Sequence, residues 1–127
     1  MGIAVETGLR GEVRRVVAEV DTALALGSGS VPVLGTPCVV ALCEQAAIAA
    51  VADRLPVGVT TVGMRVQIDH LRPTAVGREV TASAVLKHVE GRRLTFTVSV
   101  DDDRGLVAAG KVTRVIVELE RFMDKAT

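Results

Sequence analysis

The stretch GTPCVVALCEQAAIAA, residues 35–50, constrains the fold most strongly, because it is apolar on every side of a helix. Thr36 followed by Pro37 predicts the helix start, with the Thr36 side chain as the N-cap, and a later Leu-Pro pair predicts its end near Arg54. Helices that are apolar all round are normally buried. Glu44 in the middle therefore needs a reason, since burying a lone carboxylate is unfavourable unless it is paired, hydrogen-bonded or neutralised.

The rest of the chain favours strands. The valine-rich residues 12–20 predict a first strand, and residues 21–34, which contain GSGS, predict a flexible connection to the helix. Short turns between long alternating segments predict antiparallel hairpins. These strands are predicted over residues 59–70, 77–89, 92–102 and 105–120.

One helix cannot cover both faces of five strands, but it can fill the concave face of a strongly curved sheet. We therefore predict one α+β domain over residues 1–127, a curved antiparallel five-stranded sheet wrapped around one long buried helix. The sheet face or edge that the helix leaves open predicts a homodimer or a dimer of dimers.

Composition argues against several partners. Aromatic residues are 2% of the 127, only Phe96 and Phe122, which leaves little for stacking on nucleobases, and the formal net charge of +0 does not favour nucleic acid. The first residues lack a secretion signal, and no uncharged apolar run reaches membrane-spanning length. Cys38 and Cys43 form no CxxC motif and are interpreted as small buried core residues. We expect a cytoplasmic protein without a nucleic-acid or membrane partner.

Three polar residues are candidates for chemistry, each with a plain structural alternative. Glu44 is either catalytic or a carboxylate at a subunit seam, and the Thr36 hydroxyl is explained by capping alone. His70 ends a predicted strand, where site residues often lie, whereas His88 is expected to face solvent. Phosphate-loop, nucleophile-elbow, dinucleotide and metal motifs are absent, so no cofactor or metal is implied.

The segments HLRPTAVGREVTASA and VEGRRLTFTVSVDDDRGLVAAGKVTRVIVELERF, with the order of elements, resemble the hotdog fold of acyl-CoA thioesterases, and more narrowly the fluoroacetyl-CoA thioesterase group. That family uses a Thr, a helix Glu and a His, and Thr36, Glu44 and His70 match them. The resemblance further implies substrate-binding roles for Gly63 and Arg114. It implies hydrolysis of an acyl-CoA thioester at a site at or near a dimer interface.

The chain departs from the family in its lid. The family member selective for fluoroacetyl groups carries aromatic residues before the Thr, whereas residues 24–35 here contain none, so the resemblance implies thioester hydrolysis without fluoroacetyl selectivity. Glu44 is either the nucleophile or the base that activates water, and His70 moves a proton or positions the water. If residues 36–44 are helical, the two Cα atoms lie about 12 Å apart. Either the substrate spans them or a second subunit completes the site.

Two other functions remain open. In hotdog dehydratases and hydratases the site His precedes the acidic residue or shares its segment, whereas His70 here follows Glu44 by a whole strand, which disfavours that function. A non-catalytic acyl-CoA binding module would not need all three polar residues. Coenzyme A carries phosphates, so arginines are expected at its entrance. We expect ordinary solvated charge for most of the candidates and a site role for Arg114 only. The candidates are Arg65, Arg72, Arg92, Arg93 and Arg114.

Overall fold

A computed structural model describes residues 3–127 and confirms the predicted architecture. The strands form one antiparallel five-stranded sheet in the order β1-β3-β4-β5-β2. Their bounds are β1 Arg10–Val16, β2 Val59–His70, β3 Glu79–Glu90, β4 Arg93–Asp102 and β5 Gly105–Glu118. The helices are α1 Ala23–Leu26, α2 Thr36–Val51 and α3 Leu119–Ala126.

Alternation along the strands decides which sheet face meets α2. On β3 from Val80 to Leu86 and on β4 from Leu94 to Val100, every second residue is buried, and these side chains form the core with one face of the helix. Gly11 of β1 lies directly under the helix: a Cβ there would come 2.1 Å from the Ala46 carbonyl oxygen. Small residues at this contact let the sheet approach the helix closely, as the alanine-rich sequence predicts.

Several predicted element boundaries were wrong. The first strand ends at Val16 instead of residue 20, and the connection predicted to be flexible contains a 3₁₀ turn and α1. After Val51 the helix tightens into a 3₁₀ turn over Ala52–Arg54, and β5 stops at Glu118 because α3, which was not predicted, begins there.

Helix α2 is buried on one side only. Its sheet-facing residues are buried, but Ala41, Gln45 and Ile48 form an exposed stripe on its back, with Ile48 43% exposed. The prediction of burial all round is therefore wrong for one side of the helix. By length and composition the 19 residues Thr36–Arg54 would suffice to cross a bilayer; in this fold their apolar character is accounted for by packing against the sheet.

The two cysteines differ. Cys43 is fully buried and burial raises the pKa of its thiol to about 12, so it is an inert core residue as predicted. Cys38 is only half-buried, which corrects the prediction for that residue. Its pKa is also raised, chiefly by burial. His88 is exposed, as predicted.

Candidate functional site

Thr36 and His70 form one cluster. Thr36 is the first residue of α2 and His70 the last of β2, and the Thr36 Oγ1 lies 2.9 Å from the His70 Nδ1. The prediction that Thr36 caps the helix is wrong: Gly35 occupies the N-cap position and its N–H is bonded to the Asp21 carbonyl oxygen. The Thr36 hydroxyl is therefore free to bond the imidazole.

The His70 ring is suited to accept a proton. Burial lowers the pKa of the imidazole below its ordinary value, and the Arg72 main chain opposes part of that shift. The ring is therefore neutral at neutral pH. Its Nε2 is buried and has no hydrogen-bond partner in the described chain, so one ring nitrogen binds Thr36 and the other is unused by the protein.

A cavity of about 320 Å³ opens beside this pair. Its wall is made by the segment before Thr36, the segment after His70 and the two residues themselves. The apolar lining is aliphatic, from Val31, Val33, Leu34 and Leu71, with no aromatic side chain. Gly29 and Gly35 contribute backbone only, and a Cβ at Gly35 would come 2.9 Å from the Ala23 nitrogen.

Glu44, Gly63 and Arg114 form a second cluster. The Arg114 Nη1 donates to the Glu44 Oε1 at 2.8 Å, and the Glu44 side chain is 28% exposed. Arg114 is buried and is anchored by Thr61. The Arg114 Nε donates to the Thr61 hydroxyl and the Arg114 Nη2 donates to the Thr61 carbonyl oxygen, both at 2.9 Å. Burial lowers the pKa of Arg114, while Glu44 opposes that shift.

Gly63 allows this second cluster to form. A Cβ at Gly63 would come 2.4 Å from the Glu44 Oε1, so any larger residue would displace the carboxylate. Glu44 is thus not the lone buried carboxylate that the sequence suggested, because Arg114 pairs with it. Sequence reasoning missed Thr61, and nothing in its spacing marks it as the anchor of an arginine 53 residues later.

The two clusters are separate within the chain. Gly63 pairs with Arg114 and His70 pairs with Ala108 on β5, six positions away, which is roughly 20 Å of extended strand. Residues 36–44 are helical, which keeps the Thr36 and Glu44 Cα atoms about 12 Å apart. Of the other arginines suggested for coenzyme A, Arg72 alone lines the cavity beside Thr36 and His70. No group of three metal-ligating side chains occurs among residues 3–127.

Comparison with known proteins points to one family. The family model of the fluoroacetyl-CoA-specific thioesterase matches residues 17–120. A fluoroacetyl-CoA thioesterase from Streptantibioticus cattleyicolor is 36% identical over 93 residues, 73% of this chain and 67% of its own length.

Solved structures agree in fold. A structure of a fluoroacetyl-CoA thioesterase superimposes with a TM-score of 0.91 at 30% identity, covering 97% of this chain and 96% of its own. A mutant of that enzyme in complex with fluoroacetate and CoA gives a TM-score of 0.87 at 31% identity, covering 93% and 99%. A hot-dog-like protein from Thermanaerovibrio acidaminovorans gives 0.86 at 26% identity, covering 94% and 89%. The hotdog fold is thereby confirmed.

Proposed function

The chain belongs to the fluoroacetyl-CoA-specific thioesterase family, and from that premise we propose that Thr36, Glu44 and His70 act together in its hydrolysis of acyl-CoA thioesters to free acid and coenzyme A. The observation that carries this proposal is the hydrogen bond between Thr36 and His70 at the edge of an aliphatic cavity. Glu44 and Arg114, which also match residues of the family motif, are joined by a hydrogen bond in a second polar cluster.

A second copy of the chain is the simplest way to unite the two clusters. Helix α2 packs mainly on β1 and β3, and β2 is an edge strand whose Met64 and Val66 side chains are 43% and 37% exposed. An edge strand of 12 residues with exposed apolar side chains favours pairing with another strand. We infer that two β2 strands pair antiparallel in a homodimer.

Such pairing has a specific consequence for the site. A two-fold axis midway between Gly63 and His70 sets Gly63 opposite the partner's His70, and by symmetry the reverse holds at the second site. Adjacent strands lie about 4.8 Å apart, so this arrangement replaces the long separation within one chain by a short one across the interface. Both residues lie at inward-facing positions of β2, as opposed residues must.

The residues divide the chemistry as follows. When Glu44 attacks the thioester carbonyl as the nucleophile, the C–S bond breaks and a mixed anhydride forms; the neutral His70 then takes a proton from the water that hydrolyses the anhydride and passes it to the coenzyme A thiolate. When Glu44 is instead the base that takes the proton of the attacking water, His70 positions that water and the proton passes from Glu44 to the departing thiolate. The Thr36 hydroxyl holds the imidazole in place and offers a donor to the thioester oxygen. Glu44, fixed by Arg114 through one oxygen, keeps its Oε2 free of hydrogen bonds within residues 3–127 and is the base for the attacking water or the nucleophile itself.

The cavity sets the substrate class. Its aliphatic lining and volume of about 320 Å³ suit short or medium aliphatic acyl groups, and ring stacking has no partner there.

The free thiols of Cys38 and Cys43 fit a reducing compartment, and we place the protein in the cytoplasm.

A thiol-release assay against a panel of acyl-CoA thioesters tests the proposal. We expect hydrolysis of acyl-CoA thioesters with chain lengths from acetyl to hexanoyl. We also expect His70→Ala to lower kcat/KM by at least a hundredfold. No release from any thioester, together with measurable binding of acyl-CoA, would identify a non-catalytic binding module instead. A strong preference for aryl-CoA would contradict the assigned substrate class.

A further inference from the structure

The segment that follows His70, residues 71–75, is attached to two other parts of the molecule. The N–H groups of Leu71 and Arg72 both donate to the Val107 carbonyl oxygen of β5, at 2.8 and 3.2 Å. The Thr74 carbonyl oxygen accepts from the Leu34 N–H at 2.9 Å, two residues before Thr36. This segment therefore connects β5 to the chain that leads into α2, and it joins the end of β2 that carries His70 to the start of α2 that carries Thr36.

The Arg72 side chain reaches the β4–β5 turn. Its Nη2 donates to the Asp102 Oδ1 at 2.5 Å and its Nη1 to the Arg104 carbonyl oxygen at 3.3 Å. The Asp102 Oδ1 also accepts from the Arg104 N–H at 2.8 Å, and the Asp102 side chain is fully buried. Because a planar guanidinium holds its two donors in fixed positions, these bonds fix the orientation of the Arg72 side chain relative to the β4–β5 turn as well as its distance from it.

Asp102 stays ionised in this setting. Burial alone would raise the pKa of its carboxyl, but the Arg104 N–H and the Arg72 guanidinium together hold that pKa below its ordinary value. The Arg104 guanidinium lies further away, with its Nη2 3.8 Å from the Asp102 Oδ2. The ion pair between Arg72 and Asp102 is therefore present throughout the neutral range.

Unsatisfied polar atoms concentrate around this pair. Within residues 3–127, every buried side-chain polar atom without a hydrogen-bond partner belongs to His70, to the segment after it, or to Asp102. Native proteins leave few such atoms, and those that persist often mark functional sites. The atoms are His70 Nε2, Arg72 Nε, Thr74 Oγ1 and Asp102 Oδ2.

We propose that Arg72 and Asp102 are positioning residues that hold the end of β2 against the β4–β5 turn and so keep His70 within hydrogen-bond distance of Thr36. Neither residue needs to touch the substrate for this role. The inference rests on the proposed function only in assigning the proton transfer to His70. The positional effect itself is a property of the fold.

Kinetics and the imidazole signals of His70 test the inference together. Arg72→Met and Asp102→Asn are each expected to lower kcat by about ten- to a hundredfold, the scale of a misplaced catalytic group, with KM changed less than about threefold. Arg72→Lys, which keeps the charge without the planar fork, is expected to fall between Arg72→Met and the wild type. The ¹⁵N chemical shifts of the His70 ring should move in the same variants as its bond to Thr36 loosens.

The same turn supplies a matched control. Arg78 donates to Asp103 at 2.7 Å, next to Asp102, but both residues are outside the segment after His70. Arg78→Met should leave kcat and the His70 shifts unchanged. Equal losses in Arg78→Met and Arg72→Met would overturn the inference, as would a folded Arg72→Met protein with wild-type kcat.

Two further outcomes are also decisive. If Arg72→Met does not fold, Arg72→Lys and Asp102→Asn carry the same test. If the wild type releases no thiol from any acyl-CoA, the proposed function fails, but the His70 shifts still decide the positional effect. Unchanged shifts in folded Arg72 and Asp102 variants would overturn it independently of activity.

Discussion

At the residue scale, the question that Glu44 raises is answered by a residue far away in sequence. The carboxylate is tolerated on an apolar helix because Arg114 on β5, 70 residues later, donates to it and Gly63 leaves space for it. Arg114 in turn is buried, and within residues 3–127 Glu44 is the only acidic side chain that hydrogen-bonds its guanidinium. The pair is therefore both structural and available for chemistry.

Glu44 variants should accordingly lose both activity and stability. Glu44→Ala leaves the Arg114 guanidinium without its countercharge, and we expect the free energy of unfolding to fall by about 1–3 kcal/mol. This loss is smaller than for a fully buried ion pair because the Glu44 side chain is partly exposed. Glu44→Gln retains an acceptor for Arg114 and should lose less. Both should lower kcat/KM by about a hundredfold or more. Chemical denaturation and thiol release on the same preparations measure the two effects.

The exposed pair of Arg14 and Glu12 gives the control, because Glu12→Gln should change neither quantity. A Glu44→Gln protein with wild-type turnover would remove Glu44 from the mechanism. It would leave the ion pair with Arg114 as a purely structural feature.

At the element scale, the sequence was informative where the pattern is local. Alternation in residues 59–70 predicted β2 with its observed bounds, and Pro37 marked the start of α2 to within one residue. It failed where tertiary contacts override the pattern. Residues 12–20 keep a strand-like composition, but the chain leaves the sheet after Val16, and Asp21 beyond it is held by two hydrogen bonds from Arg15, both at 2.8 Å.

Two other elements show the same limit. Helix α3 was missed because no glycine or proline separates it from β5, and its first two residues, Leu119 and Glu120, were predicted to continue the strand. The candidate site residues Thr36, Glu44 and His70 were predicted from a family resemblance, and their division into two clusters depends on strand register that no spacing reveals. The link between Arg72 and Asp102, 30 residues apart, was likewise invisible.

The segment before Thr36 should control acyl selectivity. Because it contributes Val31 and Val33 to the cavity and no aromatic ring, we expect fluoroacetyl-CoA and acetyl-CoA to be hydrolysed with kcat/KM values within about tenfold, the scale of a small contact difference. Val31→Phe, by filling the cavity, should disfavour hexanoyl-CoA relative to acetyl-CoA by about tenfold or more.

Leu24→Phe is the matched variant, since Leu24 is equally exposed on the same segment but does not line the cavity. It should leave the ratio of the two substrates unchanged. A large preference of the wild type for fluoroacetyl-CoA would show that selectivity does not require aromatic side chains in this segment.

At the scale of the whole molecule, the single chain is incomplete in two ways. Its edge strand β2 and the back of α2 expose apolar side chains, and its two polar clusters are separated by roughly 20 Å of extended strand. A homodimer through β2 would cover the edge strand and bring the two clusters together. The exposed stripe on α2 would then be the contact between two such dimers in a dimer of dimers. Sedimentation at micromolar concentration should therefore show at least twice the 13.3 kDa of one chain.

Mixing two inactive variants tests whether the sites are shared. In a dimer of Glu44→Gln and His70→Ala chains, a site built from Glu44 of one chain and His70 of the other is doubly damaged on one side and intact on the other. Random exchange makes about half of the dimers mixed, and each has one intact site of two, so activity should recover to about a quarter of the wild-type value. Sites contained within one chain would give no recovery, because every chain then carries a damaged site. Val66→Lys, which places a charge on β2, should abolish the recovery by preventing pairing, whereas Val76→Lys, similarly exposed but outside the strand, should not.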